Sequence, residues 1–117
     1  MNEDELKFLV VWLILNGEVE KALEFLAKHY HTEKPKLKVG LPKGRKRKAL
    51  GCYDSKTRTI HVLNSEIFNN PFVILHEFYH HLRTTIDKKH KGTEKYADKF
   101  AEEYIQVYKR ALHASKK

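Results

Sequence analysis

The chain has 117 residues, room for one domain (1–117) and little more, and its 41% hydrophobic and 11% aromatic content is enough for an ordered core. The longest apolar run, Phe8 to Leu15, is too short to cross a bilayer, and the single cysteine, Cys52, excludes both an internal disulfide and a thiolate-rich zinc site. A formal net charge of +8, gathered in Lys34 to Lys48 and Lys109 to Lys117, favours acidic partners.

The opening Met1-Asn2-Glu3-Asp4-Glu5 is acidic where a targeting peptide would be basic, so a cytoplasmic location with no membrane association is expected. Asn2 to Leu15 reads as a helix capped by Asn2, with apolar residues too continuous for a single stripe. Asn16-Gly17 marks a turn. Val19, Leu23, Phe25 and Leu26 then predict a second helix ending near His29, and so a helical hairpin.

Leu37, Val39 and Leu41 alternate as in a strand before Pro42. The basic loop Lys43 to Lys48 is expected to close a hairpin onto a strand over Ala49 to Tyr53. After the turn Asp54-Ser55-Lys56, Thr57 to Leu63 alternates again, which predicts a small, largely antiparallel sheet. Pro71 opens a helix to about Asp87, with Asn69 or Asn70 near its cap, and Thr93 caps a last helix to about Leu112. Helices, then strands, then helices make an α+β domain.

The first of the late helices contains His76-Glu77-Phe78-Tyr79-His80. Histidines at i and i+4 share one helical face, so both imidazoles can reach one Zn²⁺. Glu77 is placed as the general base for a metal-bound water, which makes peptide-bond hydrolysis the expected chemistry. The motif is short enough to arise by accident, but Val73, Ile74 and Leu75 carry it into the core, where unpaired His and Glu would be costly. A third ligand is expected in the next helix at Glu94, with Asp98 one turn on to orient a histidine. Ala97 and Ala101 would let the two helices approach closely. The bland alternative for Glu94 and Asp98 is a pair of solvated helix acids.

Glu-x-x-Ala-Asp-x-Phe-Ala, following the His-Glu-x-x-His helix, resembles the gluzincin metallopeptidases, in particular the CAAX prenyl protease and heat-shock membrane protease group. A domain of this size without membrane helices is similar to the minigluzincins, minimal catalytic domains from thermophilic prokaryotes. The charge content of 32% and the single glutamine, Gln106, agree with a thermophilic origin. The resemblance implies one Zn²⁺ held by His76, His80 and Glu94, with Glu77 as base and Asp98 behind a ligand. It also implies that Leu50-Gly51-Cys52-Tyr53 forms the sheet edge along which a peptide or protein substrate pairs as an added strand. Cys52 is then a strand residue and not a nucleophile. Latency imposed by residues 109–117, within one molecule or through self-association, is a further implication.

Other ligands fit less well. A metzincin would need histidine where Ile86 stands and glycine where Arg83 stands. His81 follows a ligand directly and so points elsewhere, His90 falls in a turn, and His29, His31 and His61 read as surface or strand residues. The oxyanion partner is left open among Tyr79, Tyr96, Tyr104, His81 and His113. The alternative function is a basic nucleic-acid-binding module with a structural or vestigial metal site. It would rest on Lys43 to Lys48, which lacks interleaved aromatics, so nucleic acid is not the expected partner.

Overall fold

In the computed structural model, which describes residues 1–43, 49–86 and 92–115, the N-terminal third is the expected helical hairpin. Helix α1 spans Glu3–Leu15 and α2 spans Val19–His29. The Asn2 side chain accepts the Glu5 N–H at 2.8 Å, satisfying one of the amides that a helix start leaves without a partner. Leu6, Val10, Val11, Leu13 and Ile14 are buried, while Trp12 and Leu15 stay half-exposed, so α1 is covered on most sides. His29 Nε2 lies 2.9 Å from Glu3 Oε1, tying the end of α2 to the start of α1.

Three short strands follow: β1 (Lys36–Val39), β2 (Gly51–Asp54) and β3 (Thr59–Val62). They form one sheet in the order β1-β3-β2. β2 and β3 are the expected antiparallel hairpin, with Gly51 opposite Val62 and Tyr53 opposite Ile60. The other pairing corrects the expectation of a largely antiparallel sheet, because β1 runs parallel to β3, with Lys36 opposite Thr59 and Val39 opposite Val62. The sheet is mixed. β3 inserts between β1 and β2, so those two strands do not form the hairpin that the basic loop was expected to close. Val39 and Gly51 both lie level with Val62, so the connection has only to step across the end of β3, roughly two strand spacings or 10 Å. Ten or more residues manage that easily. Of that basic loop, residues 44–48 lie outside the described residues.

A 3₁₀ turn (Ser65–Asn69) leads into α3 (Pro71–Ile86). Asn70 Oδ1 accepts the Val73 N–H, and Pro71 takes the first position, where no amide hydrogen is missed. Asp87 and His90 fall outside the described residues. Helix α4 (Glu94–Ser115) begins on Thr93, whose Oγ1 accepts the Tyr96 N–H. Ala97 and Ala101 are fully buried between α3 and α4, the close approach that their small side chains permit. Phe78, Phe100 and Tyr104 fill the space among α1, α3 and α4 and reach Tyr30, whose hydroxyl lies 2.7 Å from that of Tyr104. Truncating a ring such as Phe78, fully buried, costs about 3–5 kcal/mol in comparable cores. Among the described residues, no helix is long and apolar enough to cross a membrane.

Candidate metal centre

Helix α3 presents two adjacent faces. His76 and His80 stand one turn apart on one of them, their rings 5.0 Å apart and inclined by 73°. Val73, Glu77 and His81, each four residues on from the last, form the next face, against which β2 packs. Burial follows this division. His80 and Glu77 are nearly inaccessible, whereas Glu94 across the gap on α4 is three-quarters exposed, so the site opens on its α4 side.

Glu94 bridges the two histidines. Its Oε2 lies 3.0 Å from His76 Nε2 and its Oε1 lies 2.8 Å from His80 Nε2. Asp98 Oδ1 lies 2.8 Å from the other ring nitrogen of His76. Ligand atoms of His76, His80 and Glu94 all fall within 4.8 Å of one another, a group that could hold a metal ion. Burial opposes ionisation of Glu94, but the neighbouring His80 and His76 outweigh it and hold its carboxyl below the usual range.

The donor set fits a cation. A carboxylate only accepts, so the Asp98 contact places a hydrogen on His76 Nδ1, and a neutral ring then turns the Nε2 lone pair toward Glu94. Two acceptors at 3.0 Å repel unless a positive charge lies between them, supplied by a proton or by a metal ion. A tetrahedral ion with bonds of about 2.0–2.1 Å needs ligand atoms about 3.3 Å apart, so small outward shifts of Glu94 would accommodate one.

Gly92 sets where α4 begins. Its φ of +79° suits glycine, and a Cβ there would stand 2.5 Å from Tyr79 Cε2. The chain thus passes flat against the Tyr79 ring just before Thr93 and Glu94. The close passage brings Glu94 within reach of α3.

Glu77 is buried beside the histidines, with Oε2 3.9 Å from His76 Nε2. Strand β2 lies at the sheet edge and runs past it. A Cβ on Gly51 would come within 3.5 Å of Glu77 Cγ, 3.2 Å of the His61 carbonyl oxygen and 2.8 Å of Val73 Cγ1. Leu50, half-exposed, stands just before the strand, and its carbonyl accepts the Leu63 N–H. Tyr53 faces α3 like Gly51, and Cys52 between them faces the other way and is buried.

Of the five residues considered for the oxyanion, three are elsewhere. Tyr104 is in the core against Tyr30, which it meets through its hydroxyl, and burial pushes both phenols upward from their ordinary value. His113 sits in the last turn of α4. His81 is fully buried with both ring nitrogens engaged, and burial holds its imidazole below the ordinary value. Tyr79 packs on Gly92 and Phe100, and Tyr96 is exposed two residues beyond Glu94, near the opposite side of the helix. His29 and His61 are partly exposed, bonded to Glu3 and to the Gly40 carbonyl. Residues from Lys109 continue α4 to Ser115, about 32 Å along its axis from Glu94, with 116 and 117 outside the described residues.

Sequence reasoning did not find the contact of His81 with Tyr53. Its one signal was a second histidine directly after a ligand in an apolar helix, which says that the ring is turned into the core but not what it meets there. No protein-family model matches the chain, and neither does a curated protein or a solved structure, so the likeness to gluzincins rests on the residues themselves.

Proposed function

We propose that this chain is a zinc-dependent peptidase of the gluzincin type, with His76, His80 and Glu94 as ligands. The observation that carries the reading is the convergence of two imidazole Nε2 atoms on one carboxylate, at 3.0 and 2.8 Å, while Asp98 occupies the far side of His76. That is the ligand set of a catalytic zinc together with the hydrogen bond that fixes a ligand's tautomer.

Zinc, when bound, supplies Lewis acidity that acidifies water and polarises a carbonyl. The chain's own residues supply the rest. Asp98 accepts the His76 Nδ1–H and keeps that ring oriented. Glu77 removes a proton from the attacking water at its carboxylate, holds it, and delivers it to the leaving amine. The edge of β2, passing Glu77 at Gly51, offers main-chain groups to an extended peptide. Latency within one molecule would require α4, continuous from Glu94 to Ser115, to break near Tyr108.

The test is zinc content of the purified protein, followed by cleavage of a denatured protein substrate. Wild type should hold about one zinc per chain, and Glu94→Ala and His80→Ala should lose it or bind it much more weakly. Glu77→Gln should retain zinc and lose turnover. Wild type that takes up no zinc even on reconstitution sinks the reading and favours the basic loop, Lys43 to Lys48, as the functional element.

A further inference from the structure

His81 is the most buried polar side chain of α3, and its hydrogen bonds have a fixed direction. Its Nε2 lies 2.6 Å from the Glu33 carbonyl oxygen, which can only accept, so Nε2 carries the hydrogen. Nδ1 of the neutral ring is then an acceptor, and the Tyr53 hydroxyl at 2.7 Å donates to it. The ring therefore links three elements: α3, the segment between α2 and β1 at Glu33, and strand β2 at Tyr53.

The register of β2 shows what this link holds. The Leu63 N–H donates to the Leu50 carbonyl, which marks that pair as a hydrogen-bonding position of the ladder, and by alternation Cys52 with His61 and Asp54 with Thr59 are such positions as well. Gly51 and Tyr53 fall on the intervening pairs. Their N–H and C=O groups therefore point away from β3, toward the open edge. These same two residues rest on α3. Gly51 lies flat on Val73 and Glu77, and Tyr53 is bonded to His81, one turn beyond Glu77 and adjacent to His80.

We propose that His81 is a positioning residue: through Tyr53 it fixes the open edge of β2, and so the path of a bound peptide backbone, relative to Glu77 and the metal ligands. The proposal rests on the peptidase reading. Losing one buried hydrogen bond of this kind shifts a local equilibrium about five- to tenfold, enough to read out without unfolding the protein.

Tyr53→Phe and His81→Leu test it, with Tyr30→Phe as the control, because that variant loses a part-buried tyrosine hydroxyl contact of equal length that involves no residue of β2. If His81→Leu fails to fold, Tyr53→Phe keeps the ring and removes only the oxygen. Both test variants should retain zinc like wild type. Amide hydrogen exchange at Cys52 and Asp54 should accelerate about five- to tenfold over the control. KM for an extended quenched-fluorescence peptide should rise about as much, while kcat/KM for a blocked dipeptide, too short to lie along β2, should stay within twofold of wild type.

Unchanged exchange at β2 overturns the proposal. Faster exchange with both substrates equally impaired also overturns it, since the link would then be structural only. Absence of zinc or of any turnover in wild type is a different failure, that of the peptidase reading, and takes this inference with it.

Discussion

Gly51→Ala measures how closely β2 and α3 approach, and the size of its effect follows from three distances. The new Cβ would stand 2.8 Å from Val73 Cγ1, 3.2 Å from the His61 carbonyl oxygen and 3.5 Å from Glu77 Cγ. Carbon atoms rest about 3.5–4.0 Å apart, so the first contact is too short by about 0.7 Å or more. Val73 is β-branched and stiff at χ1 in a helix, so it cannot swing aside, and the His61 oxygen is main chain. Relief has to come from displacing β2, and overpacking of this kind costs about 1–3 kcal/mol. Alanine regains about 0.4–1 kcal/mol by restricting the unfolded chain, leaving a net loss of about 0–2.6 kcal/mol. Val73→Ala alone should cost about 1–3 kcal/mol through its two lost methyls. The double variant should be more stable than the sum of the two losses predicts, by about 1 kcal/mol, because the space vacated at Val73 receives the new Cβ. Urea unfolding reads all four proteins, and for a domain of this size 1 kcal/mol corresponds to roughly 3–6 °C in Tm. Zinc binding should be unchanged throughout. A clearly stabilising Gly51→Ala, or strict additivity in the double variant, refutes the close approach of β2 to α3 at Val73.

Asp98→Asn should retain the fold and weaken zinc binding about 10–100-fold, since the amide orients His76 less well than the carboxylate does. A chelator competition checks this, and wild-type affinity in the variant would remove Asp98 from the site. At alkaline pH, Tyr30, Tyr53 and Tyr104 should remain protonated in the native protein beyond the ordinary phenol value of about 10, because burial raises all three. The unfolded chain gives up those protons first. Their contribution to stability is therefore complete below pH 10 and declines as pH rises above it, by about 1.4 kcal/mol per unit for each phenol that the native state keeps protonated. Tyrosinate absorbance, compared between native and urea-unfolded protein, should show the native curve lagging. Full ionisation of all six tyrosines by about pH 11 in a folded protein would contradict it.

The features legible in the sequence are those that local geometry decides. An Asn ahead of an acidic first turn caps α1, and Thr93 caps α4, because a capping side chain reaches only two or three residues along its own chain. His76 and His80 share a face, as do Glu94 and Asp98, because 3.6 residues per turn leave no other arrangement. Small residues at Ala97 and Ala101 foretold that α3 and α4 could meet. Strand pairing was a different matter. Alternating residues near Leu37, Ile60 and Tyr53 identify strands but not partners, and only the packed chain shows β3 inserted between β1 and β2 with β1 parallel to it. The same limit hid the role of His81. Its bonds to Tyr53 and to Glu33 cross 28 and 48 residues of chain, and a contact over such separations is set by what the whole core leaves room for, not by the residues beside it in sequence. Residue spacing decided which side chains could share a metal. The left-handed backbone of Gly92 against Tyr79, and the packing of α4 on α3, decided that Glu94 stands within 3.0 Å of both histidines.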